Sequence, residues 1–286
     1  MVSRRDIASL LGAGTLAAAA LSPIGTAQAQ TGPAAENTFQ RIRRTKKLRI
    51  AGIVGTEPYY KKDIASGEWS GFCVSMAQDL AKAMDAELEI AETTWGNAVL
   101  DLQANKIDIM FGLSPTPSRA LTVEFTRPIM LNTFTIIAKP GFEPKTWADL
   151  NKPEVRVAVD IGSIADAWSG KATRDLFARR IIPNATLLAL KTPDDAMLSV
   201  QSNRADCVIQ VAMLSLVTVK KNPKVGKIIV PTPASAQPTC AGVRAEPDPR
   251  FRTFVDNWLE YNRGLGAMKG WITSSLELVG VKAGDI

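Results

Sequence analysis

The chain contains no histidine in 286 residues. That single absence removes the Ser-His-Asp and Cys-His nucleophile systems and every histidine-ligated zinc site. Cysteine is scarce: Cys73, Cys207 and Cys240 form no C-x-x-C pair. A thiolate metal cluster is therefore not expected, and the odd count leaves at least one thiol unpaired within the chain. A Cys207–Cys240 bridge and three small buried hydrophobes are the two readings the residues allow. No metal and no cofactor are expected. No apolar run reaches the length of a membrane span. The longest candidate, Ile7 to Leu21, is short and alanine-rich. No internal repeat and no long low-complexity segment is evident.

The N-terminus reads as an address. Ser3-Arg4-Arg5 precedes the apolar stretch, and Ala27-Gln28-Ala29 follows it as a small-x-small cleavage site. Residues 1–29 are expected to be a signal peptide, with the paired arginines suggesting twin-arginine export and ordinary Sec export remaining open. No cysteine stands at the cleavage point, so a soluble, monomeric, periplasmic chain beginning near Gln30 is expected. The net charge of +6 comes largely from Arg41, Arg43, Arg44, Lys46, Lys47 and Arg49. This cluster has no interleaved aromatics, so a nucleic-acid partner is not expected. A solvated first helix leading into a strand is.

Strand and helix patterns alternate along the rest of the chain, which implies parallel sheets. Leu48 to Val54, Leu88 to Ala91 and Ile107 to Leu113 read as strands, and Phe72 to Met84 as a helix. Asn132 to Ala138 is apolar and β-branched and ends at Lys139-Pro140-Gly141, a candidate crossover between two lobes. Val155 to Val159, Cys207 to Val211 and Lys227 to Val230 supply further strands, with a helix after Ser163. Cys240 to Arg244 returns the chain to the first lobe. Two crossings make a hinge, and ligand sites in such folds lie in the cleft between domains.

The most informative stretch runs from Trp95 to Arg119. Ala98, Val99, Leu100 and Leu102 give a helical apolar face, and Ile107 to Leu113 follows as a buried strand. The turn Ser114-Pro-Thr-Pro-Ser-Arg119 then offers a hydroxyl, free backbone N–H groups and a guanidinium whose fork matches a carboxylate. The alternative for Arg119 is a surface pair with Glu124, and for Ser114 a turn-capping role. Trp95 reads as a stacking wall or a core tryptophan. Gly162-Ser163 and Ile164 open a helix, whose N–H groups could face an anion or be capped by the serine itself.

This segment resembles the family 3 extracellular solute-binding proteins, the amino-acid receptors of ABC importers. Trp95, Lys106-Ile-Asp108, Gly112, Ser114 and Arg119 occupy the family's places, the last holding a ligand carboxylate. Gly71-Phe72, Val155 to Ser163, Asn203-Arg-Ala-Asp206 and Asp248-Pro249 through Trp271 extend the resemblance. It implies an α/β type II periplasmic binding protein fold with parallel-type sheets flanked by helices. Lobe 1 would comprise residues 30–133 and 238–286, and lobe 2 residues 134–237. It also implies a small carboxylate ligand and a membrane ABC permease as partners.

One departure bears on the ligand. The family usually carries an aspartate, for the ligand's α-ammonium, a few residues after the Ala-Asp step. Counted from Asp206, that place falls on Gln210. An amide accepts a hydrogen bond but supplies no countercharge, a loss on the order of a few kcal/mol for a buried zwitterion. Either Asp160 or, next, Glu57 replaces the charge, or the ligand has no α-ammonium. Residues where the family carries acids are here Cys73 and Ser75. The same fold family includes secreted dehydratases of the cyclohexadienyl type. An enzyme with Asp160 or Glu57 as general acid is therefore the rival reading, and a sensory binding module a third.

Overall fold

A computed structural model describes residues 36–163 and 177–282. The expected signal peptide, Ile164 and the start of the helix after Ser163 lie outside the described residues. The first half contains α1 (Thr38–Thr45), β1 (Lys47–Gly52), β2 (Lys61–Lys62), β3 (Trp69–Ser70), α2 (Phe72–Ala83), β4 (Glu87–Glu92), α3 (Trp95–Gln103), β5 (Ile109–Leu113), α4 (Pro117–Ala120) and β6 (Val123–Phe125). Then come β7 (Met130–Ala138), α5 (Trp147–Leu150), β8 (Arg156–Asp160), α6 (Phe177–Ile181), β9 (Thr186–Leu190), α7 (Pro193–Gln201), β10 (Cys207–Val211), α8 (Ala212–Lys221) and β11 (Lys227–Ile229). The chain closes with β12 (Ala236–Arg244), α9 (Arg250–Gly264) and α10 (Ala267–Glu277).

The strands follow the order β4-β1-β5-β12-β7-β10-β8-β9, with β6 beside β12 and β11 beside β7. The alternating pattern predicts parallel pairing, and it holds where helices separate the strands: β4-β1-β5 in one lobe, β10-β8-β9 in the other. The two long strands β7 and β12 instead pair antiparallel with their neighbours. Each changes partner midway. β7 pairs with β12 over Met130–Thr133 and with β10 from Phe134 onward. β12 pairs with β7 up to Thr239 and with β5 from Cys240.

Lobe 2 shows why its strands are continuous apolar runs. Val157, Val159, Cys207, Ile209, Phe134 and Ile136 pack on one face of the sheet, while Ala158, Val208 and Ile137 pack on the other. With both faces covered, the period-2 alternation of a half-exposed strand disappears. In lobe 1 the core gathers Leu48, Ile50, Leu80, Ile109, Phe111 and Leu259. All three cysteines are free and buried. The basic run at the start is neutralised locally: Arg44 meets Glu36, Lys46 meets Asp85 and Lys47 meets Glu89.

A repeat that the sequence hides emerges from the backbone. Thr94 caps α3 by accepting from Asn97 N, and Thr192 caps α7 by accepting from Asp195 N. At the same spacing beyond each threonine, Asn105 and Asn203 take the left-handed conformation, with φ of 55° and 57°. Three residues later an aspartate opens the next strand. Asp108 Oδ2 accepts from Arg49 N and Asp206 Oδ2 from Arg156 N, both at 2.8 Å. The partner arginines reach back to the asparagines, Arg49 to the Asn105 side chain and Arg156 to the Asn203 carbonyl. Each lobe thus docks its helix–strand connection onto its neighbouring strand by the same clamp.

Candidate functional site

The carboxyl ends of β5, β8 and β10 point at one another across the gap between the lobes, the place where open α/β sheets present ligand-binding loops. On the lobe 1 side, β5 ends at Leu113, and Pro115 and Pro117 turn the chain into the single turn of α4. Thr116 caps that turn by accepting from Arg119 N at 3.3 Å. This folds Arg119 back over the strand end, where Nη1 donates to the Ser114 carbonyl at 2.8 Å. Gly112 leaves room for the wall: a Cβ there would stand 3.1 Å from the Tyr59 ring and 3.6 Å from Trp95.

On the lobe 2 side, Asp160 is the last residue of β8 and only 6 % exposed. The turn after it is closed by Ser163, whose N–H and hydroxyl both donate to the Asp160 carbonyl. The turn needs Gly162 at φ 75°. A Cβ at Gly162 would fall 2.3 Å from Gly96 Cα, so the two lobes meet backbone to backbone at α3. Arg119 Nη2 crosses the same gap to the Gly162 carbonyl at 2.7 Å.

These elements enclose a cavity of about 50 Å³. Trp95, Gly112, Ser114, Arg119, Asp160, Ser163 and Gln210 all line it. Trp95 also packs against the lobe 1 core, so it is at once a core residue and a part of the cavity lining. Arg119 does not pair with Glu124, which is taken by Arg252 at 2.8 Å. Its guanidinium bonds two backbone carbonyls and no carboxylate among the described residues. Burial lowers its pKa to about 10, which leaves it charged at neutral pH. Gln210 is 5 % exposed, and its Oε1 accepts no hydrogen bond among the described residues.

Glu57 stands apart from the other candidates. The turn after β1 does approach the gap, but Lys221 at the end of α8 holds the Glu57 carboxylate at 2.8 Å, and the residue lines a neighbouring pocket instead. Tyr59, from the same turn, takes the place in the cavity. With Asn132 on β7 and Thr239 on β12 it forms a part of the lining that the sequence does not reveal. Asn132 Nδ2 donates to Tyr59 Oη at 2.7 Å and to Thr239 Oγ1. Burial pushes the Tyr59 phenol up, so it keeps its proton. Phe134, Ile209, Val211 and Leu214 complete an apolar wall. The cavity therefore has a cationic end at Arg119, hydroxyls and amides at its floor, and one buried carboxylate.

A two-lobed α/β protein with a buried arginine reaching across the gap between its lobes has the architecture of a solute-binding protein. Residues 48–260 match the bacterial extracellular solute-binding proteins, family 3, and the chain belongs to that family. Its fold is the type II periplasmic binding protein fold. Cyclohexadienyl dehydratase of Pseudomonas aeruginosa is 27 % identical over 263 residues, spanning 89 % of this chain and 90 % of the relative. ABC transporter arginine-binding protein 1 of Escherichia coli is 26 % identical over 176 residues, 61 % of this chain and 68 % of the relative. Among solved structures, the ancestral amino acid-binding protein AncCDT-1, a precursor of cyclohexadienyl dehydratase, superimposes with a TM-score of 0.72. It is 26 % identical and covers 85 % of this chain and 99 % of its own. Among the described residues no helix is long and apolar enough to cross a membrane.

Proposed function

We propose that this chain is an exported receptor for a small carboxylate, an amino acid or a close analogue, which it delivers to a membrane ABC permease. One observation carries the proposal: a buried, charged Arg119 whose described partners are only two carbonyls, one from each lobe. A carboxylate completes that arrangement bidentately and gains more from the closed gap than from an open one. Asp160 in the same cavity supplies the countercharge that Gln210 lacks, so an α-ammonium is accommodated. Export through a signal peptide at residues 1–29, a periplasmic monomer, and a hinge where β7 and β12 change partners belong to the same proposal.

A thermal-shift screen of amino acids, keto acids and aromatic acids tests it. A ligand at about a hundred times its Kd should stabilise the protein by about 2.7 kcal/mol. No shift with any carboxylate would sink the proposal. A second reading, a dehydratase, is favoured by the Pseudomonas relative, which spans most of both chains. Most of the other relatives are named as binding proteins. In the dehydratase reading Asp160 is the buried acid. Turnover of a cyclohexadienyl carboxylate by the purified protein, abolished in Asp160→Asn, would replace receptor with enzyme.

A further inference from the structure

The floor of the cavity holds two hydroxyls oriented by one amide. Tyr59, Asn132 and Thr239 are all buried, and all three line the cavity. Asn132 on β7 stands opposite Gln237 on β12, so Thr239, two residues further along, projects from the same face. The Asn132 amide uses both of its N–H groups here, one on Tyr59 Oη at 2.7 Å and the other on Thr239 Oγ1. Each hydroxyl oxygen is therefore an acceptor toward Asn132, and each keeps its own O–H proton to donate. Among the described residues neither proton meets an acceptor. A donor buried without a partner carries a cost that a ligand can remove. Two oxygens bonded to one amide nitrogen are close enough for a single ligand oxygen to bridge them.

The phenol is held firmly in place. The Cys73 N–H donates to the Tyr59 carbonyl at 3.1 Å, and the Tyr59 ring packs on Phe72 with centroids 4.7 Å apart. Burial keeps the phenol protonated, so it donates rather than accepts a charge. The opposite character stands in the same lining. Gln210 Oε1 is buried and accepts from no donor among the described residues. In a cavity of about 50 Å³ a ligand that reaches one wall is close to the others. The floor offers neutral donors, and Asp160 shares the cavity, so a second carboxylate there would be a charge without a counterion. An uncharged oxygen fits.

Resting on the carboxylate reading of Arg119, we infer that Tyr59, Thr239 and Gln210 form a subsite that selects a hydroxyl group on the ligand, with Asn132 as the positioning residue that makes donors of both protein hydroxyls. The ligand oxygen accepts from Tyr59 and Thr239, and its proton goes to Gln210 Oε1. A keto oxygen satisfies the donors but leaves Gln210 unmet, and a C–H satisfies neither. The ligand is a hydroxy carboxylate. Arg119 holds its carboxylate, and the choice against the deoxy analogue is made by the turn after β1 and the two strands that change partner.

The test is calorimetry on the exported protein with paired probes: lactate and 3-hydroxypropanoate against propanoate, and serine against alanine. Each pair differs by one oxygen, so the contributions of the carboxylate and of any ammonium cancel. The hydroxyl should raise affinity by about tenfold in at least one pair. Tyr59→Phe deletes one O–H and keeps the ring, and it should bring that ratio to within about twofold of one. Thr239→Val reads out the same ratio through a second side chain should the first variant fail to fold. A ratio near one in every wild-type pair overturns the inference, and so does a ratio that survives both variants. If no probe binds the wild type, the Arg119 reading has failed and the subsite falls with it. If the deoxy acids bind and the hydroxyl adds nothing, only the subsite is lost.

Discussion

The two lobes solve one problem with different tolerance for water. In lobe 1, Asp108 is sealed completely, its side chain 0 % exposed, between Arg49 and Arg41 of α1. In lobe 2, Asp206 is 12 % exposed and is held by Arg156 and by Lys139, which follows the last residue of β7. The geometry at the strand is the same, but the surroundings differ. A fully desolvated acid between two cations is tightly committed, because removing it strands buried charge. The wetter cluster can rearrange and hydrate. Lobe 1 is thus built as a base, and lobe 2 hangs from its crossing strand by a pair that water can reach.

The comparison can be broken most directly at Asp108. Asp108→Ala should destabilise the protein by about 3–5 kcal/mol in urea unfolding, since Arg41 and Arg49 lose their shared partner. A loss no larger than that of the lobe 2 equivalent would end the distinction between sealed and open clamps. Next in size is Arg119→Ala. It should weaken binding of a carboxylate ligand by about 2–5 kcal/mol in calorimetry while leaving the two clamps intact. Affinity within threefold of wild type would remove Arg119 as the anchor.

Asp206→Ala should cost less, about 1–3 kcal/mol, as hydrogen bonds between charged groups do where water can substitute. Its pH dependence sharpens the contrast. Burial works to raise the Asp206 carboxyl, but hydrogen bonds from Arg156 and Lys139 carry it well below the usual range. A depressed folded pKa contributes stability above the unfolded value of about 3.9, and that contribution is lost as pH falls through the folded value. Stability should therefore fall below about pH 4, and Asp206→Asn should flatten that fall. The smallest expected effect is at the meeting of the lobes. Gly162→Ala should reduce ligand affinity by about tenfold, equivalent to about 1.4 kcal/mol, by holding the gap ajar. Unchanged affinity would mean that the Gly96 contact plays no part in closure.

What was legible in the sequence follows from burial. Ile109 to Leu113 and Cys207 to Val211 are unbroken apolar runs because helices cover both faces of their strands. Ser114 and Arg119 could be paired because five residues and two prolines leave the chain one compact way to turn. The strand β9 escaped notice because it lies at the sheet edge, where its residues are only partly covered. Helix α7 carries a readable start in Thr192-Pro193-Asp194-Asp195, but its apolar face is short. Asn132 and Thr239 lie 107 positions apart and meet only through the β7–β12 pairing, which no local pattern announces. The Glu57–Lys221 pair was hidden for the same reason: the lysine arrives from a helix 164 positions away. The clamp repeat was invisible because an asparagine and an aspartate at fixed spacing are too few letters to stand out.

The contact between Gly96 and Gly162 has a consequence for motion. Ordering a long side chain on closing would lower the conformational entropy of the shut form, by up to about 1.5–2 kcal/mol for each lysine or arginine held. Two glycines have no rotamers to lose. At its closest point the gap closes without waiting for any side chain to find its well, and it opens without breaking an interlocked pair. In the proposed receptor, residence time in the shut form is then set by what lies between the lobes, by the Arg119 bridge and by the Lys221–Glu57 pair, and not by the point where the backbones meet.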